Sequence, residues 1–259
     1  MGRGLVIGDV LRNGLVALRK HPARCLLMLG VIPVLWDLPR SQLQQILYGS
    51  EIETSSPFML ASTAWRSILA GGLMLAAIEL AAGRKAQFHL LARGLRFAPA
   101  VFVTELSTAV PMYFVGQAVA APAYLASMVV LLPLMVLIAV RGIAWVPHVV
   151  DRSEPVLTAF RSSWKATRGS GGEIVLLTLL VTVPVGALGF VVGERPLLGH
   201  LGSILSGPVM HLLSAQVYLC LVTQAPADGD QTRNAESADP PSELPVDGTG
   251  WARDSKDDP

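Results

Sequence analysis

The residues in this chain with chemistry to offer are ionisable side chains set inside apolar runs: Arg66, Glu79, Glu105 and His211. A charge at the centre of a bilayer costs about 3 kcal/mol, so such groups pair, line a cavity or carry protons. Glu105 stands eight residues into the run that begins at Phe97, about 12 Å along a helix, and Glu79 stands four residues before Gly83. If their helices pack, the two carboxylates form a proton or cation site, or accept hydrogen bonds from Arg84 or Arg96. A structural ion pair at the membrane edge is the plainer reading of Glu79. Arg66 is long enough to extend its guanidinium toward headgroups. A lone imidazole such as His211 more often hydrogen-bonds a neighbouring helix than relays protons.

Other catalytic chemistry is not written in the chain. There is no GxSxG, HExxH, phosphate-binding GxxxxGK[ST] or Rossmann GxGxxG, and so no catalytic residue, cofactor or metal ligand is expected. Cys25 and Cys220, far apart and outside any CxxC, read as small core residues. His148 and Asp151 follow Trp145, Val146 and Pro147 and read as an ordinary interfacial boundary.

The elements that hold these groups are membrane helices. Charged residues make up 15% of 259 and hydrophobic ones 52%, against about 25% charged in a soluble domain. Residues 106–140 contain no Asp, Glu, Lys or Arg; as one helix they would outrun a hydrocarbon core of about 30 Å, so they turn back once, near residues 116–122. The same counting predicts an all-α bundle of six spans, at residues 22–38, 58–83, 97–119, 122–140 and 174–193 and within 196–224. Asp9, Arg12 and Asn13 interrupt any apolar signal core near the N-terminus, so the first span is expected to direct its own insertion.

Residues 1–224 form the expected membrane domain, with 17 basic and 10 acidic residues; residues 225–259, with 9 acidic and 3 basic, read as a disordered acidic tail. With the N-terminus in the cytoplasm, 14 basic residues fall in cytoplasmic segments, and Arg40, Arg66 and Arg195 remain outside. This is the positive-inside pattern, and six spans return the C-terminus to the cytoplasm.

Each cytoplasmic segment before an odd-numbered span fits a short amphipathic helix. Ile7, Leu11, Leu15 and Leu18 oppose Arg12 and Arg19; Phe88, Leu91 and Leu95 run beside Arg93 and Arg96; Val156, Phe160 and Trp164 form a stripe next to Arg161, Lys165 and Arg168. A proline follows 14 to 16 residues beyond Arg19, Arg96 and Arg168, at Pro33, Pro111 and Pro184. The pattern suggests three copies of one unit, an interfacial helix followed by a two-span hairpin. Small residues four apart, such as Gly72 with Ala76 and Gly189 with Gly193, favour close helix packing and allow self-association or a membrane-protein partner.

Residues 159–169 (AFRSSWKATRG), leading through Ser170 to Glu173 into an apolar span, resemble the basic amphipathic element of bacterial six-span membrane proteins related to the membrane domain of glycerophosphoryl diester phosphodiesterases. The resemblance implies a membrane platform in the bacterial inner membrane; in that family catalysis belongs to a separate soluble domain.

Two functions follow as expectations. The first is a non-enzymatic inner-membrane protein serving envelope or lipid homeostasis, or scaffolding. Arg93, Arg96, Arg161, Lys165 and Arg168 then engage anionic lipid headgroups and not nucleic acid, because their charges alternate with apolar faces. The second is a small-solute or ion transporter or channel built on Glu105, with Glu79 or His211, in a cavity between proline-interrupted spans.

Overall fold

The computed structural model describes residues 5–48, 56–119, 133, 136–138, 140–192 and 196–224. Most of the fourth expected span, the turn before it and the acidic segment 225–259 lie outside the described residues. Every regular element that is described is a helix: α1 (Ile7–Lys20), α2 (Pro22–Leu26), a π-type turn (Leu27–Val31), α3 (Ile32–Tyr48), α4 (Ser56–Ala81), α5 (His89–Gly94), α6 (Ala98–Val119), α7 (Trp145–Asp151), α8 (Val156–Ala166), α9 (Gly171–Val192) and α10 (Pro196–Gln224).

Among the described residues, three stretches are long and apolar enough to cross a membrane: Pro22–Gln44, Pro57–Ala81 and His200–Thr223. A fourth arises if α8 and the first part of α9, bent by 97° at a short break, count as one span. This is the architecture of an integral membrane protein. The first stretch outruns the expected residues 22–38, because the helix continues through Asp37 and Arg40 to Gln44. Those two side chains satisfy each other: Arg40 Nε and Nη2 donate to Asp37 Oδ1 and Oδ2, both at 2.6 Å. A bidentate pair removes much of the cost of keeping both charges on one apolar helix.

Helix α4 is the hub, packing against α6, α5, α10 and α7. Ala76, Ala77 and Leu80 are fully enclosed there, and small side chains let the neighbouring helices come close. A methyl group on Gly72 would stand 2.6 Å from the Leu91 carbonyl oxygen, and one on Gly94 would collide with the Gly72 backbone. Gly83, at φ +75°, ends α4 as residues without a side chain commonly end helices. Arg84 N donates to Glu79 O at 2.9 Å and Gly83 N to Leu80 O at 3.0 Å, the two bonds of a Schellman turn. Gln216 Nε2 of α10 donates to Ala81 O at 2.7 Å, satisfying one of the carbonyls that a helix end leaves open.

The short basic helices pack in a regular order. α1 lies on α10, α5 on α4, and α8 on α7. Hydrogen bonds fix them: Lys20 Nζ donates to Gly83 O at 2.9 Å, Trp145 Nε1 to Val156 O at 2.9 Å, and the Ser163 hydroxyl to Arg141 O.

Candidate functional site

Two places bring chemistry together. The first is inside the bundle, where the π-type turn crosses α10. A methyl group on Gly207 would approach the Leu29 carbonyl oxygen to 2.6 Å, and one on Gly30 would collide with the Ile204 carbonyl oxygen. Leu29 and Ile204 each stand four residues before a proline, Pro33 and Pro208, and proline has no N–H to return to that carbonyl. Each segment thus presents a carbonyl deprived of its usual helical donor to a glycine of the other. Such backbone contacts suit Cα–H to oxygen attraction of about 0.5–1 kcal/mol each.

Beside this crossing lies a cavity of about 320 Å³ between α3, α4, α6 and α10, at the small end of the about 300–1,000 Å³ usual for ligand pockets. Leu29, Pro33, Leu69 and Leu73 give it apolar walls, and Asp37, Arg66, Glu105, His200 and His211 its polar groups. Trp36 also lines it, one face stacked on Trp65 with ring centroids 4.6 Å apart. Asp37 is taken up by Arg40 and also meets Arg66 Nε at 3.6 Å. Glu105 and His211 make no hydrogen bond or ion pair with a described residue. The structure therefore brings Glu105 and His211 to one space and adds Asp37 and Arg66 to them.

Glu79 is elsewhere. Its carboxylate accepts two bonds from Arg84, at 2.6 and 3.0 Å, across the Schellman turn that ends α4. The neighbouring carboxylate holds the Arg84 guanidinium above its ordinary value.

The second place is the outward face of α8. Arg161, Lys165 and Arg168 surround Phe160 and Trp164 in an open groove of about 300 Å³. Ala159, Ser163 and Thr167 turn inward and are buried. Thr167 Oγ1 accepts from Arg141 Nη1 at 3.2 Å, and the Arg141 guanidinium lies 5.0 Å from the Trp164 ring centroid. Arg93 and Arg96 stand on α5 and the turn after it, both uncovered, with Arg96 over the Phe97 ring at 4.4 Å.

The packed faces of these short helices use small or slim residues, Val10, Gly14 and Ala17 on α1 and Ala159 and Ser163 on α8. Leu15 (54% exposed), Phe88 (59%) and Leu157 (74%) point away from the protein.

A third cluster was not visible in the sequence. His148 is buried, with Nδ1 3.3 Å from Glu154 Oε1 and its ring edge-on to Tyr218 at 5.2 Å. Tyr218 donates its hydroxyl to Asp151 Oδ2 at 2.7 Å. Burial pushes the His148 imidazole below its ordinary value, and the opposing pull of Glu154 is smaller. The neutral ring must then carry its proton on Nδ1 to donate to a carboxylate, which only accepts. The sequence marked His148 and Asp151 only as an interfacial boundary; Tyr218, 67 residues beyond Asp151, is what joins them.

Comparison with protein families, curated proteins and solved structures finds no match.

Proposed function

We propose that this chain is a non-enzymatic protein of the bacterial inner membrane that engages anionic lipid headgroups through three basic interfacial helices, in envelope or lipid homeostasis or as a scaffold. One observation carries the reading. α1 and α8 turn small residues toward the bundle, the α5 segment turns Leu90 and Gly94 inward, and all three leave large apolar side chains uncovered beside Arg or Lys. That combination fits neither water alone nor hydrocarbon alone; it fits the headgroup boundary, where apolar groups enter the acyl region and cations meet phosphate. Each cation near an anionic surface adds about 1 kcal/mol of attraction.

The finer architecture belongs to the same reading: six spans with both termini cytoplasmic, in three units. The packing order supports it. α5 rests on α4, which closes the first unit, and α1 rests on α10, which closes the third, as a cyclic arrangement of hairpins requires; α8 rests on α7. The membrane platform implied by the resemblance of residues 159–169 agrees with this proposal.

The test is mass spectrometry of lipids retained by the purified protein, wild type against Arg161, Lys165 and Arg168 all changed to Gln. Enrichment of an anionic lipid that disappears in the variant supports the reading; retention matching the bulk membrane in both proteins removes it.

A second reading, a small-solute or ion transporter, is favoured by the cavity that joins Glu105 and His211. Flux that survives Glu105→Gln unchanged would take that residue out of the mechanism.

A further inference from the structure

We infer that the cavity beside the Gly30 and Gly207 crossing binds a small zwitterion, with a primary ammonium at Glu105 and an anionic group at Arg66. The inference rests on the second reading only in taking the cavity as a ligand site; it does not require transport.

The charges around the cavity are balanced in sum and separated in space. Asp37 is neutralised by Arg40 through two 2.6 Å bonds. Arg66, which also lines the cavity, meets that carboxylate through Nε at 3.6 Å. The three side chains together carry a net +1 (two guanidinium groups and one carboxylate), and the surplus sits on Arg66. Glu105, when ionised, supplies the opposite charge. It forms no ion pair with Arg66 or with any other described residue, although both line the same space. A carboxylate and a guanidinium held apart beside apolar walls both act on whatever enters between them.

A simple cation would meet Glu105 but also the surplus charge of Arg66, and a simple anion would meet the reverse. A molecule carrying both charges satisfies both groups at once. His211 adds an imidazole that can accept a second N–H from an ammonium. Trp36 adds an aromatic wall, of the kind that attracts cations. A volume of about 320 Å³ suits a headgroup or a small amino acid and excludes much larger solutes.

The shared chemistry, a primary ammonium joined to an anionic group, has two sources: the headgroup of phosphatidylethanolamine, or a free solute such as phosphoethanolamine or an α-amino acid. Trimethylated analogues separate both from non-specific polarity, since they keep the charges and lose every N–H donor.

The full chain is placed in nanodiscs of phosphatidylcholine, and phosphoethanolamine, alanine, phosphocholine and glycine betaine are titrated by calorimetry. In parallel, native mass spectrometry compares retention of phosphatidylethanolamine and phosphatidylcholine from equimolar vesicles. Binding of a free primary amine over its trimethylated analogue identifies a solute site, and selective retention of phosphatidylethanolamine identifies a lipid site. Either binding is expected to weaken about ten- to a hundredfold in Glu105→Gln and in Arg66→Gln, as loss of a charge-assisted bond does. It should persist in Glu79→Gln, which lies outside the cavity. No preference for primary amines in either assay overturns the inference, as does binding that survives both cavity variants. Should those variants fail to fold, Ala70→Leu, which fills the cavity and keeps every charge, replaces them: retained binding there overturns the inference equally. Binding without flux leaves the inference standing and removes transport alone.

Discussion

Trp36 and Trp65 exchange hydrogen bonds: each indole Nε1 donates to the other residue's backbone carbonyl at 3.0 Å, and the rings stack 15° from parallel. The next residues in each helix, Asp37 and Arg66, also approach, at 3.6 Å. Two dipeptides therefore set the register of α3 against α4, and with it the position of Arg66 at the cavity. Trp65→Phe keeps a ring for stacking and deletes one donor. It is expected to cost about 0.5–1.5 kcal/mol, and Trp36→Phe a similar amount. In a double-mutant cycle read by thermal unfolding in detergent, the pair should show coupling of about 1 kcal/mol. Strict additivity would mean that the two bonds act independently and set no register.

Gln216 offers a cleaner case of one buried bond. Its side chain is 4% exposed and its amide closes the last turn of α4 through Ala81 O. Gln216→Met keeps the length and leaves that carbonyl without its donor, a loss of about 1–3 kcal/mol. Gln216→Glu, which cannot donate when ionised, should lose at least as much at neutral pH. A variant as stable as wild type would show that another donor takes over the carbonyl.

Much of this layout was readable from residue types. The bounds of α4 and α10 fall within a few residues of the expected spans, because hydropathy and charge mark where a helix can meet hydrocarbon. Glu105 and His211 stood out because ionisable groups are rare there. What stayed hidden depended on which side chains share a space. Asp37 stands one residue before the expected end of the first span, and its bond to Arg40 satisfies that charge where the helix runs on. Of the two readings of Glu79, a site shared with Glu105 or a local ion pair, the side-chain geometry has the second: Arg84, five residues on, takes the carboxylate. The inward face of the short helices carried no mark in the sequence, because apolar periodicity weights large side chains, whereas close packing against another helix selects small ones.

The His148 cluster gives a pH dependence of definite sign. Burial lowers the imidazole value in the folded protein, so between that value and the ordinary one, about 6.5, the unfolded chain binds more protons than the folded one. Stability is therefore full above about pH 6.5, falls as the pH drops below it, and levels off once the folded ring protonates. Thermal midpoints measured from pH 8 to pH 5 should decline in wild type. The part of that slope due to this ring should vanish in His148→Asn, which keeps a donor toward Glu154 and cannot titrate in this range. An unchanged slope in the variant would assign the dependence to other groups.

The last prediction concerns the crossing that borders the cavity. Gly30→Ala and Gly207→Ala each insert a methyl group against a backbone carbonyl of the other segment, Ile204 O in the first and Leu29 O in the second. A backbone oxygen cannot move aside as a flexible side chain can, so each substitution is expected to cost about 1–3 kcal/mol by forcing the segments apart. Gly202→Ala, on the same helix with nothing within 4 Å of the added methyl, should be neutral or stabilise by up to about 1 kcal/mol, because alanine is the better helix former. Comparing the three by thermal unfolding separates close approach from helix propensity. If all three behave alike, the glycines matter only for helix formation and the crossing does not depend on them. If Gly30→Ala and Gly207→Ala lose stability and the double variant loses less than their sum, the two contacts form one joint, since segments already separated by the first methyl leave room for the second.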